Sequence, residues 1–276
     1  MTGQDASERF RPSPKLGQNF LVDPNISRKI AESAGIQAGE LALEVGPGRG
    51  ILTRALLEAG ARVLAIEMDY RLFDDLSAEF VGNKSIEIIR GDVLEVNLSD
   101  LLRARLKSGE KAAVVANLPY SISTEALFLF LEHASLFSRI TVMLQKEVAD
   151  RLAAGPGSRT YGALSAAVGL HGKTRALFPV GAASFKPQPR VDSAVVQITL
   201  SPLAQGEELA LARQIVRAAF TRRRKQLRNS LLESNLFRGK TLEVDQALAK
   251  AGIAPTIRAE ELSPEDFLKL ARAAQT

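Results

Sequence analysis

The fold of this chain is decided by the stretch Leu41-Ala42-Leu43-Glu44-Val45-Gly46-Pro47-Gly48-Arg49-Gly50, an apolar run followed by three glycines at alternate positions. The run has the length and composition of a buried β-strand, and residues 51–59 follow it with apolar side chains at helical spacing. A glycine turn between a strand and a helix is typical of nucleotide-binding sites, because a ligand can press against bare backbone there. The stretch therefore predicts the first strand, turn and helix of an α/β fold.

Further strand-like runs alternate with helical patterns along the next hundred residues. The predicted strands cover residues 41–45, 63–67, 86–90, 113–116 and 140–144, and the predicted helices cover residues 51–59, 70–80, 98–106 and 124–133. This alternation predicts βαβ units and a parallel sheet, with ligands bound at the carboxyl ends of its strands. A further strand is predicted over residues 194–200, after an extended segment that begins at Phe185.

The last part of the chain differs in pattern from the first. Ser201-Pro202 resembles a linker, and the pattern from Glu207 onward is wholly helical. We therefore expect a ligand-binding catalytic domain over residues 1–200 and a small all-helical domain over residues 201–276. Two helix starts are marked by capping residues, Asp23 before Pro24 and Ser263 before Pro264.

Composition limits the classes of function. The 276 residues are 46% hydrophobic, and 36 Lys and Arg against 31 Asp and Glu give a net charge of +5 and a pI near 9.5. A modest positive excess favours a polyanionic partner such as nucleic acid. The absence of cysteine excludes disulfides, thiolate metal sites and cysteine nucleophiles, and with only His133 and His171 present no metal site is expected.

The sequence also bears on location and assembly. Residues 1–14 are polar and lack the apolar core of a signal peptide. The longest apolar run, residues 126–131, is far shorter than the roughly 20 residues that a membrane span needs. We expect a cytoplasmic protein without a membrane partner and, since no apolar excess demands a dimer, a monomer.

The glycine turn differs from two well-known nucleotide-binding motifs. Gly46, Gly48 and Gly50 place the third glycine one residue too early for the dinucleotide G-x-G-x-x-G spacing, since position 51 is Ile51. No Lys-Ser or Lys-Thr follows, so the phosphate-gripping lysine of a P-loop is missing. The turn suits a ligand without a pyrophosphate, such as S-adenosylmethionine, although a purely structural turn is the alternative.

Two acidic residues follow successive strands of the predicted sheet. Glu67 ends the second strand, where a carboxylate can accept hydrogen bonds from both ribose hydroxyls of a nucleoside. Asp92 follows the third strand, where it can accept a hydrogen bond from an adenine amine of the cofactor. Each acid alone is more often a cap or turn residue, but their joint placement favours a nucleoside site.

The tetrapeptide Asn117-Leu118-Pro119-Tyr120 follows the fourth strand and is suited to holding a planar base by its exocyclic amine. An adenine amine has two N–H groups that can donate hydrogen bonds. The side-chain oxygen of Asn117 can accept one, and a nearby backbone carbonyl, that of Leu118, can accept the other. Pro119 stiffens the turn, and Tyr120 offers a stacking face worth about 1–3 kcal/mol. Because asparagine is not a proton acceptor, we expect catalysis by positioning and charge stabilisation. The alternative is an ordinary turn with a half-buried tyrosine.

A basic stretch in the helical part suggests contact with phosphates. Its members are Arg213, Arg217, Arg222, Arg223, Arg224, Lys225 and Arg228, and no acid follows in the sequence until Glu233. On a protein that acts on RNA, Arg222, Arg223, Arg224 and Lys225 would bind its phosphates. A solvated helix face is the alternative.

These motifs together resemble those of a known family. Asn117-Leu118-Pro119-Tyr120 resembles the (Asn/Asp/Ser)-Pro-Pro-(Tyr/Phe/Trp) motif of amino methyltransferases, in the variant form found in RNA adenine dimethylases. Further similar segments are Lys15-Leu16-Gly17-Gln18-Asn19-Phe20-Leu21, residues 145–152, residues 185–193 and residues 222–227. The resemblance spans nearly the whole chain and is closest to the bacterial branch that acts on small-subunit ribosomal RNA.

The resemblance implies a Rossmann-like S-adenosylmethionine-dependent methyltransferase sheet with a small C-terminal all-helical domain. It implies that the cofactor contacts Asn19, Leu21, Gly46, Gly48, Glu67, Asp92 and Asn117. Many relatives have His where Asn19 stands, so a backbone contact is expected there. Phe185 would share the target-base pocket with Tyr120. The alternative is that Phe185 is only a core anchor.

The implied reaction is methyl transfer to the N6 amines of two adjacent adenosines near the 3′ end of small-subunit rRNA, within an immature small ribosomal subunit. Three other functions stay open on the sequence. They are a related dimethylase acting on large-subunit rRNA, a DNA adenine methylase, and a non-enzymatic ribosome-assembly or transcription factor that keeps the fold for binding. The DNA enzyme is disfavoured because no separate sequence-reading domain is visible.

Overall fold

The structure, a computed structural model, describes residues 18–222 and 225–275. Its first elements are β1 (Phe20–Leu21), α1 (Pro24–Ala34), β2 (Leu41–Val45), α2 (Ile51–Glu58), β3 (Arg62–Glu67), α3 (Tyr70–Glu79), β4 (Ile86–Arg90), α4 (Leu98–Arg103), β5 (Ala112–Asn117) and α5 (Ser123–Glu132). The following elements are β6 (Phe137–Gln145), α6 (Lys146–Leu152), α7 (Ala163–His171), β7 (Gly172–Val180), β8 (Phe185–Lys186), β9 (Ser193–Leu200), α8 (Gly206–Ala219), α9 (Leu227–Glu233), α10 (Thr241–Ala251) and α11 (Pro264–Gln275).

Seven strands form one sheet in the order β4-β3-β2-β5-β6-β9-β7. β2 runs parallel to both β3 and β5, and β3 runs parallel to β4. The carboxyl ends of these four strands therefore lie along one edge. The order of the strands reverses between β2 and β5, which is where ligands bind in open α/β sheets.

β1 and β8 form a separate two-stranded antiparallel ladder. Phe20 lies opposite Lys186, and Leu21 lies opposite Phe185. The ladder ties the segment before α1 to the segment before β9, two parts of the chain that are far apart in sequence. Neither two-residue strand is long enough to carry a periodic pattern, and for this reason the sequence did not predict them.

The strands at the centre of the sheet are buried because they are almost wholly apolar. All five residues of β2 are buried, and so are the first five of β5. Ile30 of α1 and Leu56 of α2 pack with Val63 and Val115 of the sheet in one hydrophobic cluster. This packing fixes the turn between β2 and α2 against the edge where the site lies.

The capping residues act as the sequence predicted. The Asp23 side chain accepts a hydrogen bond from the Asn25 backbone nitrogen at 2.8 Å, and α1 ends at Gly35, whose φ is +63°. Ser263 and Asp266 form a reciprocal capping box at the start of α11: the Asp266 nitrogen donates to Ser263 Oγ at 3.1 Å, and the Ser263 nitrogen donates to Asp266 Oδ2 at 3.2 Å.

All six predicted strands are present, and the expected fold class is confirmed. The largest differences are at element ends: α4 stops at Arg103 rather than at residue 106, and β6 begins at Phe137 rather than at residue 140. β7 was not predicted, because only its two end residues are buried, its first half is polar and its apolar part is interrupted by Pro179.

Contacts divide the chain into two compact units. The first runs as far as Ala126 and also takes Thr141–Lys146 and Leu177–Val195; the second takes Leu127–Ile140, Glu147–Ala176 and Val196–Thr276. In the second unit, Tyr161 Oη donates to the Leu262 carbonyl at 2.9 Å. The domain boundary expected near residue 200 stays a prediction. None of the helices in the described ranges combines the length and apolar character needed to cross a membrane.

Candidate active site

A cavity of about 290 Å³ lies in the first unit, at the carboxyl ends of β2, β3, β4 and β5. Its wall is made by the segment around β1, the glycine turn after β2, the end of β3, the turn after β4 and the turn after β5. It contains the predicted residues Asn19, Leu21, Gly46, Gly48, Glu67, Asp92, Asn117, Leu118, Pro119 and Tyr120. The structure thus brings together every predicted cofactor residue and the whole tetrapeptide.

The glycine turn has no room for side chains at Gly46 and Gly48. Gly46 and Gly48 have φ angles of +65° and +60°, in the left-handed region that favours glycine. A Cβ on Gly46 would lie 3.3 Å from Cγ of Pro119, and one on Gly48 would lie 3.0 Å from Cδ1 of Phe20. The backbone of the turn is therefore in close contact with the turn after β5 and with the segment around β1, and it lines the cavity without side chains at these two positions.

Glu67 is anchored by two backbone donors. Its Oε2 accepts the Gly48 N–H at 3.1 Å, and its Oε1 accepts the Asp69 N–H at 2.9 Å. Burial raises the pKa of this carboxyl above its usual value, and the two N–H donors oppose the shift. Each carboxylate oxygen has a second lone pair, so the group can still accept two hydroxyl hydrogens from a ligand.

Asp92 is fixed by the turn that follows β4. Its Oδ1 accepts the Leu94 N–H at 2.9 Å, and its backbone carbonyl accepts the Glu95 N–H at 3.0 Å. The carboxylate is partly buried and lines the cavity. It is placed to accept a further hydrogen bond from a donor in the cavity.

The turn after β5 presents an amide and an aromatic ring side by side. Asn117 is the last residue of β5, and the Leu118 side chain is buried behind it. The Ile122 N–H donates to the Pro119 carbonyl at 3.2 Å, which closes the turn. The Tyr120 hydroxyl lies 2.7 Å from Ser193 Oγ, and burial raises the pKa of Tyr120. The arrangement can hold a flat base by its edge and its face.

Glu44 also lines the cavity, although the sequence analysis gave it no role. It is only 1% exposed, and its Oε2 accepts the Thr53 hydroxyl hydrogen at 2.7 Å. Burial raises its pKa to about 8, so the carboxyl is largely protonated at neutral pH. The sequence does carry a signal for Glu44 as a cavity residue, since it is the one acid in an otherwise apolar strand.

Phe185 takes a different position from the other predicted site residues. It is 3% exposed, pairs with Leu21 across the β1–β8 ladder and belongs to the hydrophobic cluster of the first unit. It does not line the cavity described above. Burial of this kind is what a core anchor would show, and the expected contact with a target base stays a prediction.

The basic stretch lies in the second unit and is partly paired with acids. Arg222 and Lys225 both form ion pairs with Glu233, the first at 3.8 Å. Arg228 makes two hydrogen bonds with Asp245, at 2.6 and 2.9 Å. Arg223 and Arg224, like residues 15–17 of the N-terminal motif, lie outside the described residues. Binding of RNA by this stretch stays a prediction.

Comparisons with known proteins agree with the site. The family model for ribosomal RNA adenine dimethylase matches residues 9–276. A ribosomal RNA small subunit methyltransferase A from Geobacter metallireducens is 45% identical over 270 residues, covering 96% of both chains. The protein of the same name from Pseudomonas aeruginosa is 40% identical over 265 residues, covering 95% of this chain and 94% of that one.

Two solved structures resemble this one over nearly their full length. The 23S rRNA methyltransferase ErmE aligns with a TM-score of 0.65 and 27% identity, covering 94% of this chain and 100% of that one. A dimethyladenosine transferase from Plasmodium falciparum aligns with a TM-score of 0.69 and 26% identity, covering 91% and 95%. The chain therefore belongs to the ribosomal RNA adenine dimethylase family and is an S-adenosylmethionine-dependent rRNA adenine dimethyltransferase.

Proposed function

We propose that the enzyme methylates the N6 amines of two adjacent adenosines near the 3′ end of small-subunit rRNA, giving N6,N6-dimethyladenosine during maturation of the small subunit. Support comes from relatives at 40–45% identity that carry the name small subunit methyltransferase, against 27% for the 23S enzyme ErmE. The proposal includes an immature small subunit as the partner, a cytoplasmic location and a monomeric enzyme.

The single observation that carries the proposed chemistry is the contact between the two turns of the cavity. Gly46 in the glycine turn and Pro119 in the turn after β5 approach so closely that a Cβ would touch the proline ring. A nucleoside held on the glycine turn and a base held by Asn117 would therefore meet in one enclosed space. Methyl transfer between two bound molecules needs this proximity.

The residues present fit S-adenosylmethionine. Gly46 and Gly48 line the cavity with backbone alone, which suits a ligand without a pyrophosphate, and Glu67 offers two anchored acceptors for ribose hydroxyls. Asp92 offers an acceptor for an adenine amine, and Asn19 and Leu21 also line the cavity. When bound, S-adenosylmethionine supplies a methyl group attached to a positively charged sulfur.

The turn after β5 holds and orients the target amine. An adenine amine is a weak nucleophile because its lone pair is delocalised into the ring. The two N–H groups of the amine donate hydrogen bonds to Asn117 Oδ1 and to the Leu118 carbonyl. This arrangement favours a tetrahedral nitrogen with its lone pair directed into the cavity. Tyr120 stacks on the base and keeps it in that plane. None of these three groups is a strong base, so catalysis rests on positioning.

The first experiment tests substrate and reaction together. The purified protein is incubated with labelled S-adenosylmethionine and, in separate reactions, with unmethylated small subunits, immature small subunits, protein-free small-subunit rRNA or large subunits. The nucleosides are identified after digestion of the RNA. Dimethyladenosine from small subunits alone is the expected result. Transfer to large subunits alone would overturn the proposed substrate, and transfer to protein-free rRNA equal to that on immature subunits would overturn the proposed partner.

The variant Asn117→Ala tests the role of the tetrapeptide. It removes an acceptor for the target amine and leaves the rest of the cavity in place. We expect transfer to fall about five- to thirtyfold, since a hydrogen bond to a reacting group is worth about 1–2 kcal/mol. Binding of small subunits should persist. Normal transfer by a folded Asn117→Ala protein would contradict the assigned role.

A further inference from the structure

The hydrogen bond between Tyr120 and Ser193 joins the base-stacking residue to a distant strand. The two oxygen atoms are 2.7 Å apart, and 73 positions separate the residues in the sequence. Ser193 is the first residue of β9 and is 0% exposed, whereas Tyr120 is half-buried and lines the cavity. Ser193 itself does not line the cavity, so its hydroxyl reaches the site only through Tyr120.

The residue before Ser193, Asp192, is held by two hydrogen bonds, one to its backbone and one to its side chain. The Asp192 carbonyl accepts the Lys146 N–H at 2.9 Å, and Asp192 Oδ1 accepts the Ala182 N–H at 2.9 Å. The Ser193 hydroxyl is therefore attached to a fixed backbone. Because a buried hydroxyl without a partner is destabilising, the Ser193 hydroxyl favours keeping this hydrogen bond.

The second methyl transfer depends more strongly than the first on stacking of the target base against Tyr120. An unmodified adenine amine offers two N–H bonds to Asn117 and Leu118, but the monomethylated amine offers only one. Hydrogen bonding then restrains the base less, and its stacking on the ring of Tyr120 must supply more of the positioning. Any looseness of that ring should slow the second transfer more than the first.

We infer that Ser193 is a positioning residue that fixes the ring of Tyr120 and thereby favours completion of the second methylation. The inference rests on the target-base role proposed for Tyr120. The loss of Ser193 should leave a folded enzyme that accumulates N6-methyladenosine. It should leave the affinity for S-adenosylmethionine unchanged, because Ser193 does not line the cavity.

The test uses Ser193→Ala, Tyr120→Phe and the double variant, each lacking the same hydrogen bond. The ratio of monomethylated to dimethylated adenosine is followed over time by mass spectrometry. Both subunits are supplied, and the ratio is read on whichever rRNA the wild-type protein dimethylates, so a wrong substrate assignment does not affect this test. We expect each single variant to raise the early ratio about three- to tenfold, the range for one hydrogen bond.

The double variant should raise the ratio no further than either single variant, because all three lack one shared contact. Ser27→Ala is the matched control: Ser27 is also buried, and its hydroxyl donates to the Pro24 carbonyl at 3.0 Å, outside the cavity. It should leave the ratio unchanged even if it lowers thermal stability.

Three results would overturn the inference: an unchanged ratio in a folded single variant, a change in only one of the two, or effects that multiply in the double variant. If Ser193→Ala does not fold, Tyr120→Phe removes the same contact from the other side and decides alone. A wild-type protein that dimethylates large subunits only would contradict the proposed function and leave this test intact.

Discussion

The carboxylate of Glu67 lies 3.1 Å from the backbone nitrogen of Gly48, so the acid at the end of β3 and the glycine turn after β2 are directly joined. A second N–H, from Asp69, holds the other oxygen at 2.9 Å. The carboxylate is thus oriented before any ligand arrives. A preoriented acceptor loses less conformational entropy on binding than a freely rotating one.

Replacement of Glu67 by Ala should weaken binding of S-adenosylmethionine at least tenfold. The variant loses the acceptor for two ribose hydroxyls, and hydrogen bonds to a charged group are worth about 1.5–3 kcal/mol each. Isothermal titration calorimetry measures the change. Glu87→Ala is the control, since Glu87 is an exposed strand acid paired with Arg105. An equal loss of affinity in both variants would show that Glu67 has no specific role.

Replacement of Gly48 by Ala should lower both stability and affinity for S-adenosylmethionine. A side chain at φ +60° costs about 1–2 kcal/mol, and the new Cβ would lie 3.0 Å from Phe20 Cδ1, inside the cavity wall. Gly82→Ala is the matched control, because Gly82 has a φ of +79° and open space around its Cβ position. Denaturant unfolding should show similar strain in both, whereas titration calorimetry should show weakened binding in Gly48→Ala alone.

Glu44 should make the enzyme less stable as the pH rises from about 5 to about 8. Its pKa is about 8 in the folded chain against 4.5 for a free glutamate carboxyl. Burial is the chief cause of the rise and Glu67 adds to it, whereas the Thr53 hydrogen bond and Arg54 oppose it. In this window the unfolded chain has released the proton and the folded chain retains it. The free energy of unfolding therefore falls with pH, by at most about 1.4 kcal/mol per unit.

The variant Glu44→Gln tests this because glutamine has the same shape and does not ionise. Urea unfolding at several pH values should show a flatter profile for the variant between pH 5 and 8. Glu87→Gln is the control: its partner Arg105 lowers the pKa of Glu87, so this acid is ionised in both states throughout the window. A wild-type slope in Glu44→Gln would contradict the assignment.

Neutralising Arg222, Arg223 and Arg224 together should weaken RNA binding and flatten its dependence on salt. Each lost phosphate contact should reduce the slope of log affinity against log salt by about 0.7–0.9. Filter binding with a small-subunit rRNA fragment at several salt concentrations measures this slope. Arg228→Gln is the control, because Arg228 makes two close hydrogen bonds with Asp245, whereas Arg222 lies 3.8 Å from Glu233. An unchanged slope in the triple variant would favour a solvated helix face.

The parts of the fold that depend on local pattern were predictable. β2 matches its predicted bounds because its five residues are all buried and apolar residues dominate it. The position of Asn117 at the end of β5 was predictable as well, because the apolar run and the turn that follows it are adjacent in the sequence. The choice of an adenine substrate came from resemblance to a family, because periodicity alone does not select a substrate.

Contacts between distant segments were not predictable from local pattern. The β1–β8 ladder joins Leu21 to Phe185, and the Tyr120–Ser193 hydrogen bond joins two elements that share no periodic signal. An ion pair of the basic stretch also joins distant segments: Arg217 Nη2 lies 2.6 Å from Oε1 of Glu132, an acid 85 positions earlier in the sequence. Only the folded chain brings such groups together.

The close approach of Gly46 to Pro119 has an evolutionary consequence. A side chain at position 46 would have to displace the proline ring, and loss of that ring would open a gap behind the glycine turn. Gly46 has a φ of +65°, so any side chain there is strained even if the ring is removed. Among relatives of this chain, we therefore expect position 46 to remain glycine, so that the base side of the cavity varies against a fixed cofactor side.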